Sequence, residues 1–239
     1  MITPSIRILS TRPLEPGMLD QAAQKGVRID TLSFIKTEAI RDPALTRRVR
    51  QLGSQPLTAV FTSMNAVEAV AAHLGHPDLA VFRETPWSIF CIGAATRRQV
   101  EKDLGPATGT APSASELAAV VLERRPSEVF FFCGDQRREE LPDQLTAAGI
   151  RVNEIITYRT TQTPHHIENT YDGIVFFSPS AVHSFFTVNT LPEKTPLFAI
   201  GRTTADAIRS YADNPVITSA TPEKESLVKQ IIDYFQKNI

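Results

Sequence analysis

The sequence predicts an α/β protein of two similar lobes, each a flavodoxin-like parallel sheet with helices on both faces. Three observations carry this. Strand-sized apolar runs alternate with segments of helical periodicity along the 239 residues, as expected of parallel strands joined by crossover helices. The elbow Val175-Phe176-Phe177-Ser178-Pro179-Ser180-Ala181-Val182 has a counterpart in Val60-Phe61-Thr62-Ser63-Met64-Asn65-Ala66-Val67. The elements around the two elbows also recur in one order, β-α-β-β-α-β-α, which marks an internal duplication.

In the first half, Ser5 to Leu9 reads as a strand and Ser10 to Pro13 as a loop. A helix around Leu19 to Gln24 stops at Gly26, and a strand runs from Val27 to Ile35. After the strand at Val60-Phe61, Ser63 caps a helix carrying Ala66, Val67, Val70 and Leu74 at helical spacing. Phe90 to Ile92 is a strand, Gly93 to Thr96 a helix start, Thr108 to Thr110 a short strand, and Leu117 to Leu122 a helix.

The second half repeats the series. Glu128 to Cys133 is a strand, Gly134 to Arg137 a loop, Leu141 to Ala148 a helix, Gly149 a stop, and Val152 to Tyr158 a strand. At the second elbow Ser178 is the cap, Pro179 suits the first helical position because it lacks an N–H, and Val182, Phe185 and Phe186 follow at helical spacing. Phe198 to Ile200, Gly201 to Thr204, Val216 to Thr218 and Leu227 to Ile232 complete the match. Local patterns fit two arrangements: contiguous halves parting near Arg125, or a chain that crosses between lobes near Phe34 to Ile40 and again near Tyr158 to His166.

Composition narrows the function. Lys and Arg number 25 against 26 Asp and Glu, so a net charge of −1 gives no general attraction to nucleic acid or anionic lipid, and anionic ligands must be held by local groups. The apolar runs are too short to span a membrane and no signal-peptide core opens the chain, so the expectation is a cytoplasmic protein. Cys91 and Cys133 sit in strand patterns without a ligand partner and read as buried thiols. His165-His166 lacks a third ligand nearby, so no metal is expected.

Nucleotide, metalloprotease, serine-hydrolase and dithiol motifs are absent: no GxGxxG after a strand, no GxxxxGK loop, no HExxH, no GxSxG, no CxxC. What remains is a set of hydroxyls and amides at strand ends, namely Ser10-Thr11, Thr62-Ser63-Met64-Asn65, Gly93 to Thr96, Gly134 to Arg138, Ser178 to Ser180 and Gly201 to Thr204. Each alone is an ordinary helix cap. Their recurrence on the same edge of both lobes points to a ligand site lined by helix N-termini, which favours carboxylates or phosphates. Arg12, Arg137, Arg138 and Arg202 fall in these loops and can pair with anions.

Six stretches, in order, carry a family resemblance. Phe61-Thr62-Ser63, Gly93-Ala94-Ala95-Thr96, Phe132-Cys133-Gly134-Asp135-Gln136-Arg137-Arg138-Glu139-Glu140-Leu141-Pro142, Thr157-Tyr158-Arg159-Thr160, Phe176-Phe177-Ser178-Pro179-Ser180 and Ala199-Ile200-Gly201-Arg202-Thr203-Thr204-Ala205 together resemble uroporphyrinogen-III synthases. The resemblance implies one lobe from residues 1–36 and 164–239 and another from 37–163, joined by a two-stranded hinge with a cleft between them. It also implies a cofactor-free lyase of tetrapyrrole (haem) biosynthesis whose partner is the small-molecule substrate hydroxymethylbilane. A self-contained two-lobe chain needs no protein partner, so a monomer is expected, and the charge balance gives no role to nucleic acid or membrane. In that family the substrate loses its terminal hydroxyl, is attacked at a substituted carbon of the last pyrrole, passes through a spiro intermediate, and closes with that ring reversed. Tyr158 matches the motif tyrosine and is the expected catalytic residue. Arg12, Thr62, Ser63, Thr96, Gly134, Arg137, Ser178, Ser180, Thr203 and Thr204 are the expected substrate-binding residues. The alternative is a non-catalytic two-lobed sensor or binding protein for an anionic tetrapyrrole.

Overall fold

The structure, a computed structural model, describes residues 6–75, 87–221 and 223–237. Its elements begin with β1 (Ile6–Ser10), α1 (Pro16–Gln24), β2 (Val27–Thr31), β3 (Ile35–Ala39), α2 (Pro43–Gly53), β4 (Leu57–Phe61), α3 (Met64–Leu74), β5 (Trp87–Ile92), α4 (Gly93–Asp103), β6 (Gly109–Ala111) and α5 (Ala114–Glu123). They continue with β7 (Glu128–Gly134), α6 (Glu140–Ala147), β8 (Arg151–Gln162), β9 (Gly173–Phe176), α7 (Pro179–Phe186), β10 (Leu197–Ala199), α8 (Arg202–Arg209), β11 (Val216–Thr218) and α9 (Lys224–Lys237). They form two compact units, Met1–Lys36 with Thr161–Ile239, and Thr37–Thr160.

The first unit holds a parallel sheet in the order β2-β1-β9-β10-β11. Counted along the chain within that unit, the order is 2-1-3-4-5, that of flavodoxin-like sheets. The second unit holds β8-β7-β4-β5-β6, again parallel, with β3 outside β8. The chain passes between units along β3 and β8. Ile40 N–H donates to Thr157 O and Thr163 N–H to Phe34 O, both at 2.9 Å, so these two segments run in opposite directions.

The two sheets follow one plan with their parts exchanged. The β7-α6-β8 segment repeats β1-α1-β2, and among the described residues the β9 to α9 segment repeats the order of elements from β4 to α5. Yet β1 pairs with β9 (Ile8 opposite Gly173), and β7 pairs with β4 (Phe130 opposite Ala59). Each sheet therefore joins the opening of one repeat to the close of the other.

Successive strand residues point to opposite faces, and both faces are covered. Phe131, Val60 and Phe90 pack towards α5 and α6 with Leu117, Val121, Leu141 and Leu145, whereas Phe132, Phe61 and Cys91 pack towards α2 to α4 with Val67, Val70 and Trp87. In the first unit Ile8, Val175 and Phe198 meet α1 and α9, and Leu9, Phe176 and Leu197 meet α7 and α8. Each fully buried Phe stabilises its sheet by about 1.5–3 kcal/mol relative to exposure.

Three segments differ from the sequence reading. The strand expected over Val27 to Ile35 stops at Thr31, because Phe34 turns into the core against Phe185, with ring centroids 5.1 Å apart. The chain then resumes as β3. Helix α2 was not anticipated, although Asp42 accepts the Ala44 N–H at 2.8 Å and Pro43 occupies a first-turn position. Strand β8 runs beyond Tyr158 to Gln162, so Tyr158 lies within a strand and not at its end.

Gly26 and Gly149 close the equivalent helices α1 and α6 with left-handed φ of 78° and 82°. Alanine at either position should cost about 1–2 kcal/mol, since a Cβ disfavours that region. Urea denaturation of Gly26→Ala and Gly149→Ala measures this, and an unchanged midpoint would show that the turns relax.

Candidate functional site

Each sheet reverses its strand order once, between β1 and β9 in the first unit and between β7 and β4 in the second. Doubly wound sheets leave a crevice at the carboxyl ends of the strands flanking such a reversal. In the second unit Thr62 and Ser63 follow β4, Thr96 lies in the first turns of α4 beyond β5, Gly134 ends β7 with Arg137 just beyond, and Tyr158 pairs with Gly134 from β8. In the first unit Arg12 follows β1, Ser178 and Ser180 follow β9, and Thr203 and Thr204 follow β10.

Ser63, Gly134 and Tyr158 are brought into contact. The Tyr158 hydroxyl donates to Ser63 Oγ at 3.2 Å, and Ser63 Oγ also accepts the Asn65 N–H at 3.1 Å. Burial pushes the Tyr158 phenol above the ordinary tyrosine range, against the opposing effect of the Ser63 hydrogen bond, so the ring is neutral and keeps its proton at physiological pH. Beside it lies a cavity of about 130 Å³ lined by Thr37, Ala39, Asn65, Glu68, Ala69 and Tyr158. Asn65 belongs to the strand-end stretch Thr62 to Asn65, whereas Glu68 was not among the expected site residues. Its position one turn after Asn65 on the same helix face was the available signal.

Arg137 is engaged by carboxylates of its own unit. Its guanidinium makes a two-pronged pair with Glu154 (Nε to Oε2 2.5 Å, Nη2 to Oε1 2.8 Å), and Nη1 meets Glu139 Oε1 at 2.5 Å. These carboxylates raise its pKa further, and the Glu154 pair ties the Arg137 loop to β8. Arg12 remains exposed, its backbone held by Ser10 Oγ, which donates to Arg12 O at 2.5 Å.

The four helices that start at these edges fall into two kinds. Ser63 and Ser178 cap α3 and α7, accepting the Asn65 and Ala181 N–H groups. Helices α4 and α8 follow Ile92 and Gly201 and have no side-chain cap. Thr96 and Thr204 are therefore not caps. They are 6% and 2% exposed, and neither hydroxyl donates to another described group. A Cβ added to Gly93 or Gly201 meets no atom within 4 Å, so the space before both helices is open. Ser180 and Thr203 stand in the first turns of α7 and α8, Ser180 half-buried and Thr203 exposed.

The family model described as Uroporphyrinogen-III synthase HemD matches residues 18–229. The chain belongs to the uroporphyrinogen-III synthase family. The uroporphyrinogen-III synthase of Schizosaccharomyces pombe is 24% identical over 229 residues, 87% of each chain. Among solved structures, a mutant uroporphyrinogen III synthase of Thermus thermophilus aligns with TM-score 0.66 and 18% identity, over 98% of this chain and 100% of that one. The uroporphyrinogen-III synthetase of Helicobacter pylori aligns with TM-score 0.66 and 15% identity, over 96% and 99%. The uroporphyrinogen-III synthase match thus spans both exchanged parts.

Both cysteines are buried, and burial raises the Cys91 thiol and pushes Cys133 up to about 12, so neither is a reactive thiolate. Among the described residues no His, Cys, Asp or Glu cluster could hold a metal ion, and no helix is long and apolar enough to cross a membrane.

Because the Thr96 and Thr204 hydroxyls have no internal partner among the described residues, Thr96→Val and Thr204→Val should change unfolding free energy by less than about 1 kcal/mol. Turnover should nonetheless fall. Denaturation and kinetics on the same preparations separate these effects, and full activity in both variants would remove the hydroxyls from the site.

Proposed function

We propose that this chain cyclises hydroxymethylbilane to uroporphyrinogen III, reversing the last pyrrole ring with loss of water, and that the residues gathered at the two sheet reversals perform the work. Family membership supports the reaction, and the Tyr158–Ser63 contact supports the location. Loss of hydroxyl from an electron-rich pyrrole is intrinsically easy. The protein's task is chiefly to hold the reacting ends in the less accessible geometry and to disfavour direct closure.

The substrate's carboxylates match the open first turns of α4 and α8, where amides lacking a side-chain cap stand beside the Thr96 and Thr204 hydroxyls. Arg12 and the Thr62, Ser180 and Thr203 hydroxyls extend the same anion-binding edges. Ser63 and Ser178, already engaged as caps, shape the edges more than they bind. Tyr158 delivers a neutral O–H to the departing hydroxyl, exchanging Ser63 for substrate as its acceptor. The protein acts as a cytoplasmic monomer on a diffusible substrate, without nucleic acid or membrane, since its near-neutral charge gives no general attraction to either.

Incubation with hydroxymethylbilane, with the type III and type I products resolved, tests this proposal. The type III isomer should form faster than spontaneous closure yields type I. Tyr158→Phe should lose roughly ten- to a hundredfold in turnover, because departure is easy and the donor's effect is mainly positional. Binding of the substrate with only type I product would instead support a non-catalytic tetrapyrrole binder.

A further inference from the structure

Gly134 is not required by backbone conformation, since its φ lies outside the left-handed region. Its neighbour across the sheet supplies the reason. Strands β7 and β8 stay in register from Glu128 opposite Arg151 to Cys133 opposite Ile156, then slip so that Gly134 stands opposite Tyr158. Thr157, the extra residue, is buried and donates its hydroxyl to Cys133 O at 3.3 Å. Strict alternation would send Tyr158 to the face of Ile156, which is 44% exposed. The slip instead lets Tyr158 pack on the cluster containing Ile155, Phe61 and Phe132, the face from which its hydroxyl reaches Ser63.

The ring then lies over Gly134. A methyl group there would fall 2.8 Å from the Tyr158 hydroxyl oxygen and closer still to the ring carbons. Beyond Gly134, the Asp135 N–H donates to Tyr158 O at 3.2 Å, Asp135 Oδ1 accepts the Thr160 N–H at 3.0 Å, and Gln136 Nε2 donates to Thr160 O at 3.0 Å.

We infer that Gly134 and Asp135 are positioning residues that aim the Tyr158 hydroxyl: Gly134 gives the ring its place and Asp135 fixes the backbone carrying it, and neither contacts substrate. This replaces the substrate-binding role expected for Gly134 and rests on the proposed action of Tyr158. Because the clash is with a side chain and not with backbone, Gly134→Ala can fold with the ring displaced.

The test compares wild type, Gly134→Ala, Tyr158→Phe and the double variant in hydroxymethylbilane turnover, and follows the alkaline ultraviolet titration of Tyr158, isolated by subtracting the Tyr158→Phe spectrum. Gly134→Ala should lower kcat about ten- to a hundredfold with little change in KM, and should bring the raised Tyr158 titration back towards the ordinary tyrosine range. In the Tyr158→Phe background it should cost nothing further. An equal further loss in that background would overturn the inference, because Gly134 would then act without the tyrosine hydroxyl. If Tyr158→Phe keeps full turnover, the catalytic reading of Tyr158 falls, and the titration still decides positioning: a lowered midpoint in Gly134→Ala sustains it and an unchanged one overturns it. Should Gly134→Ala not fold, Asp135→Ala carries the same comparison, with Asp135→Asn, which keeps the Oδ1 acceptor, expected to restore the wild-type values.

Discussion

Two strand pairings, β1 with β9 and β7 with β4, bind the two repeats of the chain into its two sheets. Each joins strands far apart in sequence, and each lies where the strand order reverses. The reversal in the second unit brings Ser63, from one repeat, to Gly134 and Tyr158, from the other. The reversal in the first unit likewise brings the strand end leading to Arg12 beside the one leading to Ser178. Neither repeat alone contains a complete edge. The exchange of parts is thus what makes a site.

The chemistry suits such a scaffold. A tetrapyrrole precursor with many carboxylates and an easily lost hydroxyl needs orientation more than a strong base. The edges supply amides of α4 and α8 that no side chain caps, two buried threonine hydroxyls, and one tyrosine whose phenol is kept neutral by burial. Arg137 is paired with Glu154 and Glu139, which fastens its loop to β8.

Much of this was legible in local sequence because the signals are local. Serine caps before alanine and valine at helical spacing, glycines after helices, and strand-length apolar runs placed most elements within a few residues. Helix α2 was equally legible in Asp42-Pro43. The exchange was not legible from periodicity, since contiguous and crossed arrangements bury the same faces, and the family resemblance was what favoured crossing. The register slip at Thr157 was also hidden. It depends on which residue of β7 opposes which residue of β8, and with it go the face of Tyr158 and the reason for Gly134.

Assembly by exchange is tested most directly by native-state hydrogen exchange on a single core variant. Leu227, on α9, packs in one cluster with Ile8, Val27 and Val175, and Leu227→Ala should destabilise that unit by about 2–5 kcal/mol. The exchanged arrangement predicts lowered protection of the Ile8, Val27 and Val175 amides, with Val60 and Phe131 unchanged. Lowered protection of Phe131 with Ile8 untouched would contradict it, because the repeats would then fold as contiguous halves.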